Sequence, residues 1–467
     1  MPPAISSAGD GTDQVVPPAA DRLHRGGAAD RQPVLGRVRP WKRHECRSAF
    51  VIVRDVDVAI VGGGVAALWL AALAARTKLR VALLTAGLLG SHSSTRNQGW
   101  IHSGSFYAAN EAWTLAEHCV RGGADIDQLA RSTPELIAGP RGECVLRDAE
   151  HLDLVTARLR RVGISHQLAS APAVNASRLF RRGDAFPVLH TPDRAVDNSL
   201  LLDRLAFQAR QAGAVVVANS GQPELRRDGR QWCLREGDCE VRADQVVLAL
   251  GTGLPTYLKR WRPGTRHLLY ASTTTRVVVV PGLGLDAPVL PLFDAAPTVV
   301  PVWHAGRVGG VTICVPFDNV RHSGSPRPVT VELAQEVVDL CVRQLPGLAD
   351  HLRENEESPI GIYNCEKLII DGQQDGAEES RSFRVDRVEA GLYAFYAGKF
   401  TTASVGASAM LDTLGTSTTS SGGRVRRPGE LIGNLTVSRR AAARPMNFVI
   451  GSEKSEFLVS PQRGYLR

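Results

Sequence analysis

Three consecutive glycines, Gly62, Gly63 and Gly64, are followed by Ala67 in the pattern Gly62-x-Gly64-x-x-Ala67. In such a pattern the first glycine allows a tight turn and the second lets the backbone approach a pyrophosphate. The small third residue lets a helix pack closely on a strand. The free N–H groups and dipole at the start of a helix also attract phosphate. The pattern indicates a dinucleotide-binding turn; the alternative is a glycine-rich turn that binds no ligand.

Thr85 stands near the position where such a unit usually carries an acid, 23 residues after Gly62. An acid there hydrogen-bonds the ribose hydroxyls of the nucleotide. A threonine has a single hydroxyl, whereas a carboxylate has two acceptor oxygens. We therefore expect a weaker adenosine end, and the departure does not identify a different nucleotide.

Residues 91–107 (SHSSTRNQGWIHSGSFY) are unusually rich in small and polar side chains and follow directly after the second predicted strand. The candidate site residues in this segment are Ser94, Arg96, Asn97, Gly99, His102 and Tyr107.

A second such segment, Gly391–Ala409 (GLYAFYAGKFTTASVGASA), lies near the end of the folded part. Gly398 permits close approach, and Thr401 or Thr402 can cap a following helix. Lys399 and that helix N-terminus could both stabilise negative charge.

The elements that position these residues can be predicted from the chain itself. Asp57–Val61 is a short apolar run, Val65–Thr77 is rich in helix-forming Ala and Leu, and Arg80–Leu84 is a second apolar run. Strand, helix and strand make a βαβ unit of a parallel sheet. By contrast, Arg276–Pro281, Thr298–Trp303 and Arg307–Pro316 are β-branched runs between turns, which predict an antiparallel sheet.

The two polar segments resemble the D-amino-acid-oxidase-like superfamily of FAD enzymes. The likeness is nearest to the branch of FAD-dependent glycerol-3-phosphate dehydrogenases and L-2-hydroxyglutarate oxidases, whose "NxGxIHSGxYY" run lies against the flavin ring. Phe106 stands where that run usually has a tyrosine. Residues 398–402 resemble the branch's "GGKxTT" element, with Ala397 in place of its first glycine.

Two smaller matches extend the resemblance. Gln211–Ala218 (QAGAVVVA) is similar to the strand that brings backbone near the adenine, which implicates Val217. Gln245–Thr252 (QVVLALGT) resembles a strand and turn that place Gly251 near the cofactor. The resemblance implies non-covalently bound FAD, held by the following candidates: Gly62, Gly63, Gly64, Ala67, Thr85, Ser94, Arg96, Asn97, Gly99, Val217, Gly251, Gly398, Lys399, Thr401 and Thr402.

The predicted fold class is α/β: a Rossmann-like FAD-binding domain with a parallel sheet and a GxGxxA βαβ unit, plus an α+β substrate domain with an antiparallel sheet. The FAD-binding domain is expected to be discontinuous, built from 55–141, 196–265 and 359–415, with 142–195 and 266–358 forming the substrate domain. Residues 1–54 are predicted to be a disordered or non-native extension, and 416–467 a linker and unassigned basic tail.

The resemblance implies an FAD-dependent oxidoreductase, either oxidase or dehydrogenase, that oxidises a C–O or C–N bond of a small metabolite by hydride transfer to flavin. His102 is the first candidate for a base or a substrate-positioning group, and Tyr107 and Lys399 are candidates for orienting substrate or flavin. The alternatives are a non-catalytic flavoprotein serving as redox sensor or assembly partner, and a nicotinamide-binding protein.

Substrate identity is less well specified. The arginine that acid-binding relatives carry is missing from residues 361–367 (GIYNCEK), where Lys367 or Arg384 could replace it. His304 could also reach the site from the antiparallel region, although an exposed loop histidine is the plainer interpretation.

Composition limits the remaining options. The formal net charge is +8, but the excess lies in the two ends, so we expect no nucleic-acid surface on the near-neutral body. The eight cysteines form no CxxC pair, which predicts free thiols in a cytoplasmic protein without a metal site. The electron acceptor could be oxygen, a quinone or a protein carrier, and the basic tail could make a peripheral membrane contact.

Overall fold

The computed structural model describes residues 52–139, 141–169, 174–180, 186–218, 221–236, 239–261, 270–293, 296–322, 329–355, 360–370, 382–417 and 457–459. The predictions for residues 1–51, and for most of the C-terminal tail, lie outside these ranges. No helix in the described ranges is long and apolar enough to cross a membrane.

The strands in the described ranges are, in chain order, β1 (Ile52–Val61), β2 (Val81–Thr85), β3 (Trp100–Ile101), β4 (Gly142–Val145), β5 (Gln167–Leu168), β6 (Val188–Thr191), β7 (Arg194–Ala195), β8 (Val215–Ala218), β9 (Glu224–Asp228), β10 (Gln231–Glu236), β11 (Cys239–Leu248), β12 (Tyr270–Pro281), β13 (Val289–Pro291), β14 (Thr298–His304), β15 (Arg307–His322), β16 (Ile360–Ile370), β17 (Arg384–Glu389), β18 (Leu392–Tyr396) and β19 (Phe457–Val459).

The α-helices in the same ranges are α1 (Val65–Arg76), α2 (Ser105–Ala109), α3 (Trp113–Ala130), α4 (Ala149–Val162), α5 (Val174–Leu179), α6 (Asn198–Gln211), α7 (Leu254–Trp261), α8 (Val331–Gln344), α9 (Pro346–Glu354) and α10 (Ala403–Ser417).

The first sheet has the order β17-β18-β11-β1-β2-β8, with β10 and β9 continuing from β11. β1 is parallel to both β2 and β11, and β2 is parallel to β8. All five residues of β2 are buried, as expected for a strand covered on both faces. The strand, turn and helix predicted around the glycines are confirmed, since β1, α1 and β2 follow one another in this sheet.

The second sheet has the order β19-β16-β12-β15-β14-β13-β4-β6-β5. β12 pairs antiparallel with β15 and β16, and β14 pairs antiparallel with β15, which confirms the predicted antiparallel runs. The strands are longer than predicted, because β12 extends back to Tyr270 and β15 forward to His322.

The domain boundaries stay a prediction, but two strands fall on an unexpected side of them. β16 lies in the segment assigned to the FAD-binding domain, yet it is hydrogen-bonded into the second sheet. β19 comes from the tail and pairs with β16. The consequence for the site is that β16 extends from the second sheet to the glycine end of the first one.

Buried apolar residues lie on both faces of the first sheet. α1, α6 and α10 cover one face, where α1 buries ten of its twelve residues. α7 and β10 contribute to the core on the other face. In the second sheet, α8 packs against β12 and β15. Six cysteines whose side chains the structure describes are free thiols: Cys119, Cys144, Cys233, Cys314, Cys341 and Cys365.

Candidate functional site

The glycine turn connects β1 to α1 and leaves no room for side chains. A Cβ on Gly62 would lie 2.2 Å from the Ala249 carbonyl oxygen, and φ is +139° at Gly62. A Cβ on Gly63 would lie 2.5 Å from the Thr85 hydroxyl. The missing side chains let the turn pack against Ala249 and Thr85, and its bare backbone lines a cavity.

Ser94 ties the polar 91–99 loop to the start of α1. Its hydroxyl accepts a hydrogen bond of 3.0 Å from the Val65 N–H, and a Cβ on Gly64 would lie 3.0 Å from the same oxygen. One free N–H of the helix start is thus satisfied by protein, and the others remain available to a ligand. Ala67 is fully buried in the helix–sheet contact, as the small third position of the motif requires.

Asn97 shapes the loop through hydrogen bonds in both directions. Its Oδ1 accepts from the Gly99 N–H at 2.8 Å and from the Asn198 amide at 3.0 Å. Its Nδ2 donates to the Ser94 carbonyl at 2.8 Å and to the Ser93 carbonyl at 3.2 Å. Asn97 therefore holds the loop conformation and has little hydrogen-bonding capacity left for a ligand.

The C-terminal turn closes with the help of both predicted threonines. The Thr402 hydroxyl donates to the Ala397 carbonyl at 2.7 Å and accepts from the Lys399 N–H at 3.1 Å. The Thr401 hydroxyl accepts from the His102 N–H at 3.1 Å. Both hydroxyls are buried and serve the protein itself, so the two polar segments are joined at this turn.

His102 lies among aromatic rings at the far end of the loop. Its ring centroid is 3.6 Å from that of Trp100 and 5.2 Å from that of Tyr107. Within the described part of the chain its Nδ1 is buried without a hydrogen-bond partner. Burial, and then the charges of Lys399 and Lys367, hold the pKa of His102 well below its usual range. The imidazole is thus neutral, and Nε2 is the nitrogen that a ligand can reach.

β16 lines the cavity with six consecutive residues, from Tyr363 to Leu368. Tyr363, Cys365 and Lys367 share one face of the strand, and burial raises the pKa of the Tyr363 phenol and the Cys365 thiol above their usual ranges. Glu366 is the one carboxylate residue among the described residues that line the cavity, and it projects from the opposite face. The face that carries Lys367 is therefore positive and has no carboxylate.

One cavity of about 1200 Å³ connects the glycine turn with His102, Lys367 and Lys399. The predicted residues that line it are Gly62, Gly63, Gly64, Thr85, Ser94, Arg96, Asn97, His102, Gly251, Gly398 and Lys399. Its lining also includes Trp100, Tyr363 and Cys365, which the sequence analysis had not singled out as site residues. Trp100 lies within the 91–107 segment, and Tyr363 and Cys365 within residues 361–367, but their place in the lining depends on which strands are adjacent.

Several predicted residues lie behind the cavity wall. Ala67, Gly99, Tyr107, Val217, Thr401 and Thr402 are not among the described residues that line the cavity. Lys399 Nζ lies 5.6 Å from the centroid of the Tyr107 ring, so Tyr107 contacts the site through that lysine. Val217 is on the edge strand β8.

Two further candidates lie elsewhere. His304 pairs with Asp197, Nδ1 to Oδ2 at 2.9 Å, and Arg384 pairs with Asp386 at 2.8 Å. Neither lines the cavity, so neither reaches the substrate end.

The site fits the FAD that the resemblance implies. The bare glycine turn and the start of α1 suit a pyrophosphate, and Thr85 and Gly251 line the cavity beside them. Gly398 and Lys399 line the same cavity, where a positive charge suits a reduced flavin.

Comparisons with known proteins agree with this interpretation. The family model described as "FAD dependent oxidoreductase" (DAO) matches residues 57–410. A Pseudomonas aeruginosa protein named "Probable FAD-dependent oxidoreductase" is 29% identical over 220 residues, which cover 44% of this chain and 54% of the relative. The chain thus spans about half the length of that curated relative.

Solved structures show the same fold. Glycine oxidase from Geobacillus kaustophilus aligns with a TM-score of 0.57 at 18% identity, over 78% of this chain and 95% of that one. L-amino acid deaminase from Proteus vulgaris aligns with a TM-score of 0.56 at 15% identity, over 78% of this chain and 90% of that one. L-α-glycerophosphate oxidase from Mycoplasma pneumoniae was solved with FAD bound. It aligns with a TM-score of 0.57 at 17% identity, over 77% of this chain and 94% of that one. The predicted α/β fold class is confirmed.

Proposed function

Because this chain belongs to the DAO family of FAD-dependent oxidoreductases, whose model spans residues 57–410, we propose that it oxidises a carbon–nitrogen or carbon–oxygen bond of a small metabolite, with the C–N bond favoured. The observation that supports this proposal is the continuous cavity. It connects the nucleotide-binding glycines to a positive substrate end at His102, Lys367 and Lys399.

FAD is the cofactor, and when bound it accepts a hydride or its equivalent from the substrate. The nucleotide would be held by the backbone of Gly62–Gly64, by the start of α1 and by Thr85 and Gly251. Gly398 and Lys399 would contact the flavin end. The protein's own contribution to the reaction is to bind the substrate, orient it and control the position of its protons.

His102 acts in this proposal as a neutral hydrogen-bond donor through Nε2. A base at this position would have to become cationic beside Lys399 and Lys367, which lower its pKa. Its Nδ1–H would also be buried without an acceptor in the described part of the chain, whereas histidine bases usually have an orienting acceptor there. Geometry and charge therefore disfavour the base role expected for His102 and favour the positioning role.

A positive substrate end with a neutral histidine suits an amine better than an alcohol. Nearby positive charges lower the pKa of a bound amine, so its nitrogen is unprotonated and carries a free electron pair. That pair would form the new C=N bond of an iminium ion as the C–H bond breaks, with bound FAD as the hydride acceptor. An alcohol needs a base for its O–H proton, and Glu366, the one carboxylate among the described residues that line the cavity, projects from the face of β16 opposite Lys367.

The fold alone does not select a branch of the family. Structures named for amino-acid oxidation and for glycerophosphate oxidation align with TM-scores of 0.57 and 0.57. The glycerol-3-phosphate dehydrogenase and L-2-hydroxyglutarate oxidase branch therefore stays a proposal based on the residues of the two polar segments. The alternative of a flavoprotein without turnover gains no support from these relatives.

The decisive experiment is anaerobic reduction of the bound flavin. Purified protein should show flavin absorption, and we expect amines or amino acids to bleach it faster than the corresponding alcohols or 2-hydroxy acids. Bleaching by hydroxy acids alone would refute the preference for amines. Failure of both classes to reduce a flavin that dithionite reduces would refute the oxidoreductase role for small C–N and C–O substrates.

His102 variants separate donor from base. H102Q keeps a side-chain N–H donor but no basic group, and H102A keeps neither. We expect H102Q to retain more of the rate of flavin reduction than H102A, with a pH profile of unchanged shape. If both variants lose the same fraction of the flavin-reduction rate, and the acidic limb of the pH profile of that rate disappears, His102 is the base.

The electron acceptor is a separate proposal with three candidates: oxygen, a quinone or a protein carrier. Reoxidation of the reduced protein by air on the timescale of turnover would identify an oxidase. Reoxidation only by a quinone analogue would favour a membrane-associated dehydrogenase. The basic tail that could contact a membrane lies outside the described residues, apart from β19.

A further inference from the structure

The Asp193 carboxylate is fully buried and accepts five hydrogen bonds. Oδ1 accepts from Trp100 Nε1 at 2.8 Å and from the Ser103 N–H at 2.9 Å. Oδ2 accepts from the hydroxyls of Ser103 at 2.5 Å, Ser105 at 2.5 Å and Thr191 at 2.7 Å. Across the described ranges no lysine or arginine forms an ion pair with it.

Most of these donors flank His102 in the chain. Trp100 precedes it by two residues, and its ring lies against the imidazole at 3.6 Å. Ser103 follows it directly. Since the His102 N–H is itself held by Thr401, the segment is fixed from two distant parts of the chain, and Asp193 fixes both sides of the histidine.

Asp193 also connects this segment to the second sheet. It lies between β6 and β7, and its carbonyl accepts from the Gly142 N–H at 2.7 Å, where β4 begins. A Cβ on Gly142 would lie 2.7 Å from the Asp193 Cβ, so the two backbones are in close contact. The carboxylate thus holds the His102 segment relative to the sheet that contributes Lys367 to the cavity.

The two other buried carboxylates of this region have different partners. Asp197 caps α6 through the Leu200 N–H and binds His304. Glu143 accepts from the backbone N–H groups of Asn175 and Ala176 at the start of α5. Asp193 bonds to the segment that carries the candidate catalytic histidine. Burying a charge is expensive, and such charges are best attested where they specify one arrangement.

We propose that Asp193 is the positioning residue of the oxidation site, because its five hydrogen bonds set the place of the His102 imidazole against the flavin and Lys367. The proposal rests on the function proposed above. It assigns Asp193 no contact with substrate or cofactor.

The test compares D193N with D197N in the FAD-loaded protein. Asparagine nearly matches aspartate in shape, and two of the three hydroxyls can rotate to accept from the two N–H bonds of its amide, so we expect D193N to fold. We expect its kcat to fall about 100-fold, as small misplacements do, while its FAD affinity stays within about 3-fold, under 1 kcal/mol. D197N should lose stability but keep kcat.

A readout independent of turnover is the ¹H–¹⁵N NMR signals of the His102 imidazole, identified by their loss in H102Q. They should shift or broaden in D193N and stay unchanged in D197N. If D193N does not fold, S103A and S105A each remove one donor and should give smaller shifts of the same signals.

Unchanged His102 signals and kcat in folded D193N would overturn the proposal, as would a parallel loss of stability and kcat in both aspartate variants. A wild-type protein that no amine or alcohol reduces, with His102 signals that still move in D193N, would refute the proposed function and leave the positioning role intact.

Discussion

The two ends of the cavity are built in different ways. At the nucleotide end the protein presents backbone: Gly62, Gly63 and Gly64 leave room by having no side chain, and the start of α1 supplies N–H groups. At the substrate end it presents side chains, including His102, Lys367 and Lys399, from three separate parts of the chain. The first end depends on one local turn, and the second on how several elements pack.

This difference has consequences for substitutions. A local glycine turn is distorted when any side chain is added, and the distortion stays near the turn. A site formed by side chains from several elements tolerates some substitutions. It loses activity when a contact that positions one of those side chains moves, even a contact remote from the cavity. We therefore expect substitutions in the glycine turn and in the supporting contacts to have different effects.

Gly62→Ala should abolish or severely weaken FAD binding. The new Cβ would lie 2.2 Å from the Ala249 carbonyl oxygen, at a φ of +139°, which L-residues rarely adopt. We expect FAD affinity to fall at least roughly 100-fold, since strain of about 3 kcal/mol at one residue corresponds to that factor. Fluorescence titration of the apoprotein with FAD measures it.

Gly139→Ala is the matched control, because a Cβ there meets no atom within 4 Å. Its FAD affinity should equal that of the wild type. Near-normal FAD binding by the Gly62 variant would show that the glycine turn does not approach the nucleotide.

The nucleotide end was predictable from sequence because its determinants are contiguous. Gly62 to Ala67 form one turn and one helix start, and their spacing alone specifies the geometry. Tyr363 and Cys365 carried no such signal, because they face the cavity only once β16 pairs with β12. Asp193 was missed for the same reason, since its donor Trp100 precedes it by 93 residues.

Some of the predicted side chains have hydrogen-bond partners within the protein. Thr401 and Thr402 were expected to bind the cofactor, but their buried hydroxyls satisfy backbone groups of the two polar segments. His304 was considered for the site, yet a nearby helix start supplied a better partner in Asp197. Residue types indicate what chemistry is available, and tertiary packing decides which groups are used by the protein itself.

Gly122→Ala should disrupt the packing that supports the substrate end. Its Cβ would lie 2.0 Å from the Thr401 carbonyl oxygen, forcing α3 away from the C-terminal turn. Overpacking of this kind costs about 1–3 kcal/mol, and the rate of flavin reduction should fall because Thr401 holds the His102 N–H. Chemical denaturation and anaerobic reduction measure the two effects.

Gly123→Ala provides the control on the same helix, because its nearest non-helical contact would be an ordinary 3.7 Å to Ile101. Alanine is the better helix former, so this variant should be neutral or more stable by up to about 1 kcal/mol. Equal destabilisation in both variants would mean that α3 does not need glycine for its contact with the turn.

The pH dependence of stability should report the neutral state of His102. Its pKa is lowered on folding, so below its unfolded value of about 6.5 the unfolded chain binds more protons than the folded one. The contribution of the neutral imidazole to the free energy of unfolding is fully present above that pH and is lost as the pH falls. Plots of the unfolding free energy against pH for wild type and H102Q should therefore diverge progressively below about pH 6.5. Parallel plots would contradict a buried neutral imidazole.

Thr85→Val should give the smallest effect on FAD binding, and it tests whether a side chain contributes at the nucleotide end. The substitution keeps the shape of the side chain, whose buried hydroxyl lies against the glycine turn, and removes one hydrogen-bonding group. If the hydroxyl serves the ribose, as the acid does in related units, FAD affinity should fall about 5-fold, near the 1 kcal/mol of one hydrogen bond. Adenosine diphosphate should lose affinity in the same proportion in a competition titration, because only the nucleotide half is involved. Unchanged affinity for both ligands would show that the backbone alone binds the nucleotide at this end.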